Sequence, residues 1–459
     1  MLRSLFKHSQ LLIALLVISA CQGNKPDLAR LYQFSQPNQA AQPPVILIHG
    51  IMGSKLRDRN SFEEIWFGNL IDLLFSSYHA IKLSFNPLTL EPITDELEAF
   101  EIADQAAGTD FYRAIIDTLQ AYANYQISHP GQFDPTNLRK LYIFNYDWRQ
   151  DNQKTAAQLS QFITRIQDDH RDPDLKFDII AHSMGGLITR YYLRYGETDV
   201  LNDNNFPMNQ AGSKHVRKVI LLGTPNLGSV GSVKSFITGL KVGLRKVPTE
   251  VLVTMPSVYQ LFPHSINNWV IDVNGNPLDY DVFDVSTWQQ FQWSIFDPKV
   301  RHRILAGFEN EAEGAQYLAS LEDYFHKHIE RARRFVWSLT IPVDDPSYRL
   351  VVMGGDCELT PARILLETSD TGRQAIRLTP KQIEEPVPGV DYDRLMLEPG
   401  DGTVTKASLL ARDVLDPTVP RHKYSFFPID YPYFLCEPHS TLTSNINFQD
   451  NLLNILLTR

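Results

Sequence analysis

Ser183 lies in Ala181-His182-Ser183-Met184-Gly185-Gly186, between a β-rich run and a helical pattern. A serine at a tight strand-to-helix turn projects its hydroxyl above the sheet edge, and the crowded turn needs small residues two before and two after it. Ala181 and Gly185 meet that need; Ala stands where Gly is usual and adds one methyl. A hydroxyl so placed can attack a carbonyl carbon, provided a base takes its proton and an acid orients the base. The N–H of Met184, at the helix start, is positioned to donate to the resulting oxyanion.

In a sheet with this type of turn the chain order is serine, then Asp or Glu, then His. Gly400-Asp401-Gly402-Thr403-Val404 offers Asp401 as the acid, with a glycine on each side to let the backbone turn. Asp356 is the rival on chain order alone, since it follows an apolar run at 349–353. His439 stands between Glu437-Pro438 and Ser440-Thr441-Leu442, on a loop entering the last helical segment, and is the candidate base. His422, at a strand start, reads as structural, and His49 precedes the nucleophile. The loop His49-Gly50-Ile51-Met52-Gly53-Ser54 follows the first apolar run, and Gly50 lets its backbone approach a substrate closely. The N–H of Ile51 is the second oxyanion donor expected.

Six short apolar runs read as strands: 44–48, 141–144, 177–181, 216–222, 349–353 and 423–427. Residues 153–168 carry a helical stripe, and a second helix runs from the serine to about Tyr195. Alternating strands and helices predict an α/β fold with a mostly parallel, doubly wound sheet, the α/β-hydrolase arrangement. The stretches at about 55–110 and 230–345 break the alternation and predict inserted cap and lid segments.

The rest of the composition narrows the class. Hydrophobic residues are 43% and charged residues 21%, the balance of a globular chain. With 43 Lys plus Arg against 53 Asp plus Glu, the net charge of -10 argues against a nucleic-acid partner. Residues 1–20 read as a signal peptide: Arg3 and Lys7, an apolar run from Leu11 to Ile18, then small residues. Ile18-Ser19-Ala20-Cys21 resembles a bacterial lipobox. It implies cleavage before Cys21, lipid on its sulfur, residues 21–43 as a lipidated tether, and 44–459 as the folded domain. The expected location is the bacterial cell envelope, at the outer membrane or periplasm if Gram-negative. After Cys21, Cys357 and Cys436 remain. Both are expected at the catalytic edge of the sheet, as a disulfide or as two thiols.

Taken together, His49-Gly50-Ile51-Met52-Gly53, Ile65-Trp66, Tyr146-Asp147-Trp148-Arg149, the Ser183 motif, Gly223-Thr224-Pro225, Gly400-Asp401-Gly402-Thr403-Val404 and His439 resemble the lecithin:cholesterol acyltransferase and lysosomal phospholipase A2 family. The serine motif alone fits any α/β-hydrolase; Tyr-Asp-Trp-Arg joined to Gly-Asp-Gly-Thr-Val is far more selective. The resemblance implies Ser183, Asp401 and His439 as the triad, Ile51 and Met184 as oxyanion donors, and Trp66 as a substrate-binding cap tryptophan beside the acyl group. Two features depart from it. The animal enzymes have Pro-Gly where this chain has His49-Gly50, and they pin the lid with a disulfide, whereas residues 55–110 contain no cysteine. Asp147 and Arg149 read as a structural ion pair.

Residues 65–75 (IWFGNLIDLLF) are amphipathic at helical spacing, either a core-packed helix or a lid lining an acyl tunnel or touching a bilayer. Lys234, Lys241, Arg245 and Lys246 cluster among apolar residues and could meet anionic headgroups or form a solvated face. The expected activity is acyl hydrolysis or O-acyl transfer on lipid esters through a Ser183 acyl-enzyme. The alternatives are a triacylglycerol lipase or general carboxylesterase, and an inactive lipid-binding envelope protein on the same scaffold. No metal or organic cofactor is expected; the partners expected are a lipid ester and a membrane surface.

Overall fold

Val45–Ile48 has four aliphatic side chains and no polar one, so both of its faces must be covered. In the computed structural model all four are buried, and this strand, β1, lies inside a seven-stranded sheet. The structure describes residues 25–33, 42–68, 76–103, 105–106, 109–110, 112–343, 346–369, 372, 374–413, 415, 418 and 427–458. The further strands are β2 (Gln126–Ser128), β3 (Lys140–Phe144), β4 (Phe177–His182), β5 (Val216–Leu222), β6 (Arg349–Gly355) and β7 (Tyr431–Leu435). Their order is β7-β6-β5-β4-β1-β3-β2, and every neighbouring pair is parallel. Together with the helices between the strands, this is the α/β-hydrolase fold.

The longer helices follow the apolar stripes. They are α1 (Arg113–Ala123), α2 (Asn152–His170), α3 (Met184–Tyr195), α4 (Val230–Thr238), α5 (Glu311–Ser338) and α6 (Ile446–Leu457). α2 starts on the Asp151 side chain, which accepts from the Gln153 N–H, and buries Ala156, Leu159, Ile163 and Ile166. α3 is buried along its whole length. It is therefore a rigid mount for whatever precedes it.

The chain steps from β3 on one side of β1 to β4 on the other. That places the ends of β1 and β4 side by side at the topological switch point, where open α/β sheets bind ligands. The expected insertions lie between strands. The first folds as a three-stranded antiparallel sheet of Ser54–Asp58, Glu64–Trp66 and Leu97–Ile102. The second is mainly helical and ends in α5.

Four differences from the sequence reading have physical causes. The last strand is Tyr431–Leu435, not 423–427, of which 423–426 lie outside the described residues. Pro432 hides it from a propensity reading, yet β7 is an edge strand, where a missing N–H is tolerated. β2 was not expected, because its three residues include only one apolar side chain. Glu64–Trp66 is a strand rather than the start of an amphipathic helix, and 69–75 lie outside the described residues. Within the stretch expected as a tether, Leu28–Leu31 forms a helical turn. Leu28 is buried in the core shared with α1 and α6, and the Tyr32 hydroxyl donates to the Asp450 backbone carbonyl at 2.8 Å. The signal segment and Cys21 lie outside the described residues.

Candidate active site

The turn after β4 is held by close packing. Ser183 has φ 53° and ψ −124°, a strained conformation for a residue with a side chain. Its N–H donates to the Leu222 carbonyl at 2.7 Å. A Cβ on Gly185 would come within 2.4 Å of the His49 carbonyl, and one on Gly186 within 2.0 Å of Thr224 Oγ1. Ala181 is fully buried. These contacts explain why the motif needs small residues on both sides of the serine.

The loop after β1 presses against the same serine. A Cβ on Gly50 would lie 2.7 Å from Ser183 Cβ and 3.3 Å from its Oγ. Ile51 and Ser183 line one cleft, and Met184 follows Ser183 as the first residue of α3, where helix N–H groups lack intrahelical partners. Aromatic residues buttress the loop. His49 stacks on Tyr146 at 4.1 Å between ring centroids, and the Tyr146 hydroxyl donates to the His49 carbonyl at 2.7 Å. The Gly50 N–H donates to the Tyr112 hydroxyl at 2.8 Å, and Tyr112 bonds in turn to His182 Nδ1 at 2.8 Å. The His182 ring also bonds to the backbone of His439 and lies 4.7 Å from its ring. Sequence reading missed Tyr112 and His182 beside the Gly50 loop; no motif surrounds Tyr112, and the partners of its hydroxyl, Gly50 and His182, are distant in sequence.

His439 Nδ1 lies 2.7 Å from Asp401 Oδ2, and the His439 N–H donates to the Asp401 carbonyl at 2.9 Å. The other carboxylate oxygen accepts from the N–H groups of Thr403 (3.0 Å) and Val404 (2.7 Å). Asp401 is 3% exposed. Burial pushes its carboxyl up, but the His439 ring and the two N–H groups outweigh that and hold it below the usual value. Gly223 makes room for the pair: a Cβ there would lie 2.8 Å from His439 Nδ1 and 3.1 Å from Asp401 Oδ2. Asp356, the rival acid, instead pairs with Lys406 at 2.7 Å.

After β6 the chain makes a detour and returns. Glu358–Pro361 pairs antiparallel with Leu397–Gly400, which delivers Asp401 back to the end of β6 beside Gly355. Cys357 and Cys436 form a disulfide with Cα atoms 5.0 Å apart, joining the chain just after β6 to the chain just after β7. The loop bearing His439 is thereby tied to the strand that precedes the detour.

The cleft in front of Ser183 has a volume of about 500 Å³. Its apolar wall includes Ile51, Leu240, Leu252, Val258, Leu261 and Val404. One face of α4 contributes the small residues Gly231, Ser232 and Ser235. Lys234, Lys241 and Lys246 stand in the same lining. Trp66 is not among the residues lining the cleft; it is fully buried against Trp148 (5.3 Å) and Tyr78 (5.7 Å), and its indole N–H donates to the Met52 carbonyl at 3.3 Å. It thus supports the underside of the Gly50 loop. Arg149 is wholly buried between Asp147 (2.8 Å) and Asp95 (2.7 Å), so an ion pair ties the first insertion to the loop after β3. Among the described residues no group of three or more His, Cys, Asp or Glu is arranged to hold a metal.

Residues 137–310 match the lecithin:cholesterol acyltransferase family. The match takes in Tyr146–Arg149, the Ser183 turn, Gly223–Pro225 and the α4 wall of the cleft; Asp401 and His439 lie beyond it. The chain is 27% identical over 263 residues to phospholipase A(1) LCAT3 of Arabidopsis thaliana, an alignment covering 50% of this chain and 54% of that protein. It therefore spans about half the length of the curated relative it matches. A chain of the Tle4–Tli4 complex is similar in fold, with a TM-score of 0.54 at 16% identity, covering 90% of this chain and 99% of that one. The lecithin:cholesterol acyltransferase match and the fold thus converge on the part of the chain that carries Ser183.

The buried histidines of this site give a pH prediction. Burial pushes His49 down to about 4; burial and the neighbouring His439 push His182 down to about 3. Both values lie below the 6.5 of an exposed ring. In the unfolded chain these rings take up protons that the folded chain refuses. The contribution of these two rings to stability is therefore fully present above about pH 6.5 and is lost as pH drops towards the folded values, by up to about 1.4 kcal/mol per pH unit for each ring. The urea midpoint measured from pH 7.5 to 4.5 should decline below pH 6.5. A flat profile would show that the two rings are not held neutral by burial.

Proposed function

We propose that the chain is a serine acylhydrolase or O-acyltransferase of lipid esters, of the phospholipase A or lecithin:cholesterol acyltransferase type. The reading rests above all on one observation: Ser183 opens into a largely apolar cleft large enough for acyl chains. Each methylene taken out of water there contributes about 0.8 kcal/mol, which favours long-chain substrates. The Arabidopsis relative is itself named a phospholipase A(1).

In the proposed reaction His439 removes the Ser183 proton as Oγ attacks the ester carbonyl carbon. Asp401 holds the ring in the tautomer that leaves the other nitrogen free to accept, and steadies the imidazolium that forms. The N–H groups of Ile51 and Met184 receive the negative charge of the tetrahedral oxygen. Collapse breaks the bond to the alcohol, which takes the proton back from His439 and leaves an acyl-serine. Water or a lipid alcohol, deprotonated by the same ring, then releases the acyl group.

The test is a product profile from mixed phospholipids and triacylglycerols, with fluorophosphonate labelling alongside. Lysophospholipid plus fatty acid, or an acylated alcohol, is expected. Products from glycerides alone would replace the reading with a triacylglycerol lipase, and an unlabelled protein would mean an inactive scaffold.

An envelope location, with lipid on Cys21, belongs to the same proposal. One acyl chain holds a protein on a membrane only marginally, whereas two or more hold it stably. Cys21→Ser should therefore move the protein from the membrane fraction to the soluble fraction. A protein that is soluble with Cys21 intact would remove the anchor from the proposal.

A further inference from the structure

Several cations of this protein are neutralised by a carboxylate where they stand. Arg149, Arg217, Arg331 and Arg377 each meet a carboxylate, as do Lys55, Lys154 and Lys406. The cleft in front of Ser183 differs. Lys234, Lys241 and Lys246 line it, no carboxylate is among its described lining residues, and none of the three lysines has an ion-pair partner among the described residues. Three ammonium groups are thus gathered at one site in a chain whose net charge is -10.

The local fold gathers them. Lys234 lies on α4, on the same side as Ser235 and Thr238, which also line the cleft. The chain then turns at Gly239 (φ 81°) into an antiparallel hairpin, Leu240–Val242 with Arg245–Val247. Lys241 and Lys246 are directly opposite each other in that hairpin, so both side chains stand on one face of it. Lys246 Nζ also donates to the Thr238 carbonyl at the end of α4, at 3.0 Å. That bond holds one ammonium at the cleft edge and leaves further N–H donors on it.

We propose that Lys234, Lys241 and Lys246 read the phosphate of an anionic glycerophospholipid while Ser183 attacks its acyl ester, so that lipids without a compensating headgroup cation are the favoured substrates. This deepens the proposed function and rests on it. A phosphodiester with a neutral headgroup brings one negative charge to three ammonium groups that meet no carboxylate among the described residues. A choline headgroup brings its own cation into the same place and cancels the gain. The acidic remainder of the protein repels an anion at long range, so any preference for one must arise locally.

Monomeric dihexanoylphosphatidylglycerol and dihexanoylphosphatidylcholine, below their micellar concentrations, separate headgroup reading from attraction to a charged surface. The full-length protein should give a kcat/KM for the glycerol lipid about tenfold above that for the choline lipid, the value of one charge-assisted hydrogen bond. In the triple variant K234Q/K241Q/K246Q, with its melting temperature checked, that ratio should fall close to one. Lys299→Gln, an exposed position outside the cleft, should leave the ratio where it was. Equal rates on the two lipids in the unaltered protein, or a ratio that survives in the triple variant, would overturn the headgroup proposal alone. Cleavage of neither phospholipid beside rapid turnover of tributyrin would overturn the phospholipid reading beneath it.

Discussion

Ser183→Ala should lower ester turnover about 10⁶-fold, the scale on which removing a triad nucleophile acts, and leave the protein folded. The expectation of a folded product follows from the site. The turn is held by the Ser183 N–H to the Leu222 carbonyl and by the tight contacts of Gly185 and Gly186, none of which involves the hydroxyl. Alanine has a Cβ in the same place and meets the positive φ at much the same strain. Initial rates on a soluble ester, with the melting temperature alongside, read both quantities. Retained turnover would rule out Ser183 as the nucleophile. A large fall in melting temperature would show that the hydroxyl has a structural partner as well.

The second large effect separates the two candidate acids. Asp401→Asn should reduce kcat about 10⁴-fold, because an amide beside His439 Nδ1 favours the wrong tautomer and cannot stabilise the imidazolium. Asp356→Asn should cost far less, since that carboxylate pairs with Lys406 and not with His439. Measuring kcat for both variants on one substrate decides between them. If Asp356→Asn were the more damaging, the acid would be misassigned and the 2.7 Å contact between Asp401 and His439 would be structural only.

Much of the framework was legible because it is written in local patterns. The run Val216–Leu222 forms a strand over its whole length, and the helix after Ser183 ends at Tyr195 as its periodicity predicts. Where the local signal was weak or misleading, the reading failed. Pro432 concealed an edge strand, and helical spacing at 65–75 suggested a helix where Glu64–Trp66 is extended. In the latter case pairing with Ser54–Asp58 outweighs the helical pattern, since Trp66 gains a buried place against Trp148.

The sequence by itself determined the turn at Ser183, since only small residues fit beside the carbonyl of His49 and the side chain of Thr224. It also determined five of the seven strands described in the sheet, and the set of acids and bases available. Only the tertiary structure decided which acid meets His439, because the detour between Glu358 and Gly400 must fold back before Asp401 reaches the end of β6. It alone decided that Lys234, Lys241 and Lys246 share a cleft with Ser183, and that Trp66 lies beneath the Gly50 loop. The physical reason is the range of the forces involved. Backbone dihedrals and side-chain periodicity act over a few residues and leave their mark in the sequence, whereas contacts between distant segments depend on how whole elements pack and have no local signature.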